Sequence, residues 1–241
     1  MAEVAGTTDD TLFGGAVALA QPGRGGGAYR VNVDAILLAS FAGGALGEPR
    51  ARRRARAAFD LGAGVGAVGL SLLHLGAAEH VTMIEVDAAL AALAQANARA
   101  NGWESRIDVV RADVRDSDSV PAGVADLVVC NPPYVPPGRG RPPSPARARA
   151  RSGPLDVFLD AARRLAGRRA RVCFVYPAIE ATTLLSELRK RGLEPKRLRA
   201  VHGAPRGGVD RARVVLVEAV AGKPGGLVIE APHFETPRRG S

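Results

Sequence analysis

Phe59-Asp60-Leu61-Gly62-Ala63-Gly64-Val65-Gly66-Ala67-Val68-Gly69-Leu70, or FDLGAGVGAVGL, is the stretch whose reading decides the fold. The apolar run from Ala57 to Gly62 reads as a strand, and the run from Gly66 to Gly76 reads as a helix. Between them lie glycines, which let a backbone turn sharply and approach a ligand closely. Turns of this kind also serve packing alone. The form is D-x-G-x-G-x-G, which differs from the dinucleotide pattern G-x-G-x-x-G.

Downstream, the alternation continues. His80–Val86 reads as a strand, followed by a helix that Asp87 starts and Gly102 ends. Arg106–Asp113 and Asp126–Cys130 read as strands, Leu155–Gly167 as a helix, and Arg169–Pro177 as a strand. A helix over Ala178–Gly192 and a strand over Arg211–Val220 close the series. Continuous apolar strands alternating with helices predict an α/β fold, a Rossmann-like doubly wound sheet of seven mostly parallel strands. The proximity of Leu198–Gly203 and Arg211–Val220 predicts a closing hairpin, hence an antiparallel C-terminal strand.

Upstream, residues through Asp10 read as loosely attached, and Phe13–Ala20 and Ala28–Asn32 as a hairpin around the glycine-rich QPGRGGG. Asp34 is placed to cap the apolar helix AILLASFAGGAL. The expected organisation is an N-terminal extension over 1–56 within the same globule, the main domain over 57–220, and a tail over 221–241. The length fits one large α/β domain with such additions.

Composition narrows the function classes. Apolar residues make up 46% of the chain, enough for a substantial core, while aromatics at 4% leave Ala, Val and Leu to build it. The formal net charge is +9, and only Lys190, Lys196 and Lys223 among the 33 basic residues are lysines. A basic surface favours polyanions such as nucleic acid or an anionic membrane. Cys130 and Cys173 lie in apolar runs and read as buried free thiols. With four scattered histidines they offer no metal-ligand spacing. No apolar run reaches membrane-spanning length and the amino terminus is acidic, so a cytoplasmic protein is expected, with no metal and no membrane partner. The sequence does not set an oligomeric state, and a monomer is the default expectation.

Three further signals accompany the glycine turn. Glu85 ends the next strand, where an acidic side chain can accept both hydroxyls of a ribose. Helix capping is the plainer role for a carboxylate there, but Asp87 already fills it. Asp113 ends the third strand and falls on the same rim, where it could accept an adenine amino group, while Asp116 and Asp118 read as solvated loop residues. Asn131-Pro132-Pro133-Tyr134 then follows DLVVC directly. Proline donates no ladder hydrogen bond, so the run can simply end a strand, or it can form a rigid site at the strand's carboxyl end.

Taken together, Asp60, Gly62, Gly64, Gly66, Glu85, Asp113 and NPPY resemble the class I S-adenosylmethionine-dependent methyltransferases of the amino-methylating type. The resemblance covers Ala57 to about Val220. It implies S-adenosylmethionine as cofactor, with the glycine loop under its methionine moiety, Glu85 at its ribose and Asp113 at its adenine. NPPY then has a physical task. A planar amino nitrogen is a poor nucleophile because its lone pair is delocalised. The Asn131 side-chain oxygen and the Pro132 carbonyl, each accepting one N–H, would orient it toward the methyl group. Pro132 and Pro133 stiffen that geometry, and Tyr134 would stack on the planar substrate. The chemistry specifies a planar amino group and leaves adenine N6, guanine N2 and glutamine N5 open.

YRVNVDAILLA (29–39) and AGKPGGLVIEAPHFE (221–235) resemble the tRNA adenine-N6 methyltransferase family typified by the enzyme for valine tRNA. The Arg-Pro-acidic-Thr-Glu signature of the release-factor glutamine methyltransferases is missing. The resemblance implies N6-adenine methylation of structured RNA, with tRNA the expected partner. Arg139, Arg141, Arg147, Arg149 and Arg151 follow NPPY in a Pro-rich loop that could hold RNA phosphates beside the mouth, or could simply be solvated. A catalytically silent RNA-binding subunit is the reading from a different class.

Overall fold

The computed structural model describes residues 6–23, 33–47, 53–116, 121–134, 155–203, 211–222 and 224–235. It opens on a hairpin in which β1 (Thr7–Leu12) runs antiparallel to β2 (Val17–Pro22). Two expectations are corrected here. Thr7 to Asp10 are not loosely attached, because they pair with Pro22 to Leu19. Phe13–Ala20 is not one strand, because Phe13–Gly15 is a turn in which Gly14 and Gly15 take φ of 64° and 102°, while Arg24–Gly27 of QPGRGGG lie outside the described residues. The strand expected at Ala28–Asn32 lies outside the described residues.

Helix α1 (Val33–Gly43) is apolar and buries Leu37, Leu38 and Phe41. Asp34 stands inside its first turn, and its carboxylate pairs with Arg213 at 2.6 Å. The far end of α1 shows how the fold handles orphan carbonyls. Arg197 donates to the Phe41 carbonyl at 3.0 Å, Arg171 donates to that of Ala42 at 2.6 Å, and Arg199 donates to that of Leu46. Glu218 and Glu230 balance these charges, with Arg197 bridging both at 3.0 and 2.9 Å. Cations at a helix C-terminus also meet the negative end of its dipole.

The alternating part follows as β3 (Ala55–Leu61), α2 (Ala67–His74), β4 (Ala78–Glu85), α3 (Ala88–Ala100), β5 (Ile107–Arg111) and β6 (Ala125–Cys130). Next come α4 (Leu155–Leu165), β7 (Ala166–Pro177), α5 (Ala181–Lys190), β8 (Leu193–His202) and β9 (Ala212–Ala221). The sheet runs β8-β9-β7-β6-β3-β4-β5, parallel throughout except for β9, which is antiparallel to both neighbours. This is the expected doubly wound, Rossmann-like sheet. Strand β8 starts earlier than Leu198 because a register shift beside Pro195 absorbs the missing donor. From the last segment, β10 (Val228–Ile229) and β11 (His233–Phe234) pair in parallel with β8 and bring the sheet to nine strands.

Helices α1 to α3 and the hairpin pack on one face, and α4 and α5 pack on the other. The chain steps outward from β3 to β4 to β5, then returns to place β6 on the opposite side of β3. Open sheets of this kind bind ligands outside the carboxyl ends of the strands at such a reversal.

Candidate active site

Strand register brings the expected residues to one rim. Leu61, the last residue of β3, is level with Ile84 on β4 and Cys130 on β6, and Glu85 is level with Arg111 on β5. The glycine turn, Glu85, Asp113 and Asn131 thus leave the sheet at the carboxyl ends of four adjacent parallel strands. The thiol of Cys130 donates to the Leu61 carbonyl at 3.5 Å, which ties the two strand ends at the reversal. Burial pushes that thiol's pKa well up, so it stays protonated.

The turn is held from below. The N–H groups of Gly62 and Ala63 both donate to the Ile84 carbonyl, at 2.9 and 3.1 Å. Gly62 and Gly66 adopt φ of 67° and 87°, and a Cβ on either would lie 3.0 Å from Phe158 or from the Met83 sulfur. Conformation and space both demand glycine there. The buried Glu85 carboxylate accepts from Gly64 N–H at 2.8 Å and from Asp87 N–H at 2.9 Å. Asp87 is the cap of α3, accepting from Ala89 and Leu90 at 2.8 and 3.0 Å. Capping therefore does not explain Glu85. The Val65 carbonyl in the same turn accepts from Asn97 at 2.9 Å, a residue the sequence reading passed over.

Asp60 is fully buried at the end of β3. One oxygen accepts from Gly69 N–H at 3.0 Å, in the first turn of α2, and the other has no hydrogen-bond partner among the described residues. Burial raises its pKa from 3.8 to about 7; the Gly69 bond opposes the rise and the charge of Glu85 adds to it.

Asp113 lies two residues beyond β5 in a fork with Arg115. One oxygen accepts from both the backbone N–H and Nε of Arg115 at 2.9 Å, and the guanidinium holds the carboxyl below its ordinary range. Beyond β6, Pro132 is buried, Asn131 and Tyr134 are half-buried, and Pro133 is exposed. Tyr134 meets Tyr176 at the end of β7 edge-on, with centroids 5.6 Å apart at 76°. Tyr176 was also missed, although an aromatic at the end of the strand next to β6 was a usable signal. Arg139, Arg141, Arg147, Arg149, Arg151 and Asp118 lie outside the described residues. Among the described residues no three His, Cys, Asp or Glu side chains are grouped to hold a metal ion. No helix among them is long and apolar enough to cross a membrane.

Residues 45–140, which span the glycine turn, Glu85, Asp113 and NPPY, match the model of the methyltransferase small domain. Fold and match together liken residues 45–140 to a class I methyltransferase domain. Within that class the chain resembles proteins named tRNA1(Val) (adenine(37)-N6)-methyltransferase. It is 37% identical to the one from Glaesserella parasuis over 44% of this chain and 41% of that protein. For Shewanella amazonensis the figures are 35%, 50% and 48%, and for Aeromonas salmonicida 33%, 66% and 64%. The chain therefore spans from about two fifths to just under two thirds of these relatives. Among solved structures, a predicted O-methyltransferase from Agrobacterium tumefaciens superposes with a TM-score of 0.61 at 25% identity, over 83% of this chain and 86% of that one. An S-adenosylmethionine-dependent methyltransferase from the same organism shares the fold, with a TM-score of 0.62 at 15% identity over 91% and 71%.

Proposed function

We propose that this protein methylates the exocyclic N6 of an adenine in structured RNA, tRNA above all, using S-adenosylmethionine in the cytoplasm. One observation carries the reading. The rigid Asn131-Pro132-Pro133-Tyr134 run leaves β6 directly beside the strand end that feeds the glycine turn, because Leu61 and Cys130 are level and bonded. An amino group held by the first run thus adjoins a ligand cradled by the second. The names of the relatives supply the substrate.

The residues fit the cofactor. Each oxygen of Glu85 accepts one N–H and keeps a lone pair, so two ribose hydroxyls can be received without disturbing the turn. The buried, unpaired oxygen of Asp60 suits a cationic group above the turn. Asp113 would share its carboxylate between Arg115 and the adenine amino group. When bound, S-adenosylmethionine supplies a methyl group on a cationic sulfur, open to in-line attack by a nitrogen lone pair.

On the substrate side, the Asn131 side-chain oxygen and the Pro132 carbonyl each accept one N–H of the planar amino group. That pairing favours the pyramidal nitrogen with an available lone pair. The two prolines hold the acceptors in place, so little orientation is lost at reaction. Stacking on Tyr134 is worth about 1–3 kcal/mol, and its edge contact with Tyr176 fixes the ring. The nitrogen becomes acidic as it is alkylated and releases its proton to water, so no dedicated base is required.

The test is mass spectrometry of nucleosides from bulk tRNA incubated with the protein and labelled cofactor. Label in N6-methyladenosine is expected. Label in a methylguanosine or in protein alone would move the activity to guanine N2 or glutamine N5. A calorimetric titration showing no cofactor binding would leave only a silent RNA-binding module.

A further inference from the structure

The hairpin has an exposed strand edge problem, and α3 solves it with two side chains. Ala18 and Ala20 of β2 point their N–H and C=O groups the same way, as alternate residues of a strand do. Asn101 accepts from Ala18 N–H at 2.9 Å and donates back to its carbonyl at 2.8 Å. Asn97 accepts from Ala20 N–H at 2.7 Å and donates to its carbonyl at 2.9 Å. Two amides one helical turn apart thus imitate a neighbouring strand. Each side-chain amide has a second N–H. That of Asn101 goes to the Asn97 carbonyl within the helix, at 2.8 Å. That of Asn97 reaches the Val65 carbonyl in the glycine turn, at 2.9 Å.

We infer that Asn97 is a positioning residue that couples the amino-terminal hairpin to the cofactor turn. It is 1% exposed, and its three side-chain hydrogen bonds leave no N–H unused. Rotation of the amide away from Val65 forfeits the Ala20 bonds as well, so turn and hairpin hold their positions together. The Val65 carbonyl lies between Gly64 and Gly66, both at positive φ. Freedom there transmits to Gly64 N–H, which is Glu85's partner. A partner that loads the hairpin, such as the RNA substrate, therefore acts on cofactor affinity through one side chain. By linkage the cofactor acts on the hairpin to the same extent.

This inference rests on the cofactor reading above, and Asn101 provides the control because it holds the hairpin without touching the turn. The variants are Asn97→Ala, the isosteric Asn97→Asp, which keeps the acceptor and loses both donations, and Asn101→Ala. Hydrogen exchange is followed at residues 17–22 and 62–69, and S-adenosylmethionine affinity by calorimetry. All three variants are expected to speed exchange in β2. Only the two Asn97 variants should speed exchange in the turn and weaken the cofactor, by about five- to thirty-fold for one lost buried bond. Equal effects of Asn97 and Asn101 variants on the turn, or none from either, overturn the coupling. If Asn97→Ala fails to fold, Asn97→Asp carries the comparison. If the wild-type protein binds no cofactor, the proposed function falls, while turn exchange in the variants still decides the coupling.

Discussion

Replacing Asp60 by Asn should change how stability depends on pH, with a sign and size that follow from the site. Burial lifts the folded pKa from 3.8 to about 7, against the pull of Gly69 N–H and with help from Glu85. The folded protein thus holds a proton across a window in which the unfolded chain has released it. The stabilising contribution is complete below 3.8 and disappears as pH rises through about 7. At 1.36 kcal/mol per pH unit the whole window amounts to about 4 kcal/mol, an order-of-magnitude figure. Asparagine resembles the protonated acid and still offers an oxygen to Gly69, but it does not titrate. Urea unfolding of both proteins at intervals from pH 4 to pH 8 measures the difference, in which all other titrating groups cancel. The variant should gain on the wild type by about 4 kcal/mol over that range. Cofactor affinity should move the other way, rising through pH 7 only in the wild type, because the ionised carboxylate attracts a cation. A stability gap constant within about 1 kcal/mol would refute the assignment of a protonated, buried Asp60.

Asn131→Ala should abolish methyl transfer while calorimetry finds near-normal cofactor binding; retained turnover would exclude the two-acceptor clamp. Gly66→Ala forces a Cβ to within 3.0 Å of the Met83 sulfur at φ 87° and should cost about 1–3 kcal/mol in urea unfolding. Glu85→Gln turns an NH2 toward Gly64 N–H or Asp87 N–H, so it should lower the melting temperature even without ligand, besides weakening cofactor binding. Glu218→Leu leaves Arg171 and Arg197 short of their shared carboxylate and should cost about 3–5 kcal/mol by denaturant unfolding.

Legibility in the sequence followed the locality of the cause. The strand-helix series from Ala57, the Asp87 cap and the Gly102 stop depend on neighbouring residues, and the structure reproduces each within a few positions. The shared rim of Asp60, Glu85, Asp113 and Asn131 was readable because parallel strands place their carboxyl ends together. The hairpin of β1 and β2 was not read because the turn signal was assigned to QPGRGGG instead. QPGRGGG has more glycine, but Phe13-Gly14-Gly15 sits between arms of matching length. Contacts between distant segments left no local trace. Arg197 at the end of α1 reads as a surface charge in its own strand, and Asn97 reads as a weak helix former. Two asparagines four apart in an alanine-rich helix were the available signal. Arg115 was hidden differently: its fork with Asp113 is local, but the sequence assigned that carboxylate to a ligand alone.

A strand-glycine-helix turn by itself suits a pyrophosphate as well as a sulfonium nucleoside, and the structure separates the two on electrostatic grounds. Phosphate binding at such a turn uses the unpaired N–H groups and positive dipole end of the following helix. Here one of those donors, Gly69 N–H, is taken from inside the fold by Asp60. A second donor of the turn, Gly64 N–H, is taken by Glu85. The buried Asp60 and Glu85, whose charge adds to the rise in the Asp60 pKa, would also repel an incoming phosphate. An anion would meet fewer donors and more repulsion at this rim. A ligand with a positive centre and hydroxyl donors meets the reverse, because the unpaired oxygen of Asp60 and the spare lone pairs of Glu85 are all acceptors. Under the proposed function, the acidic residue at the head of D-x-G-x-G-x-G is what suits the turn to a cationic ligand rather than an anion.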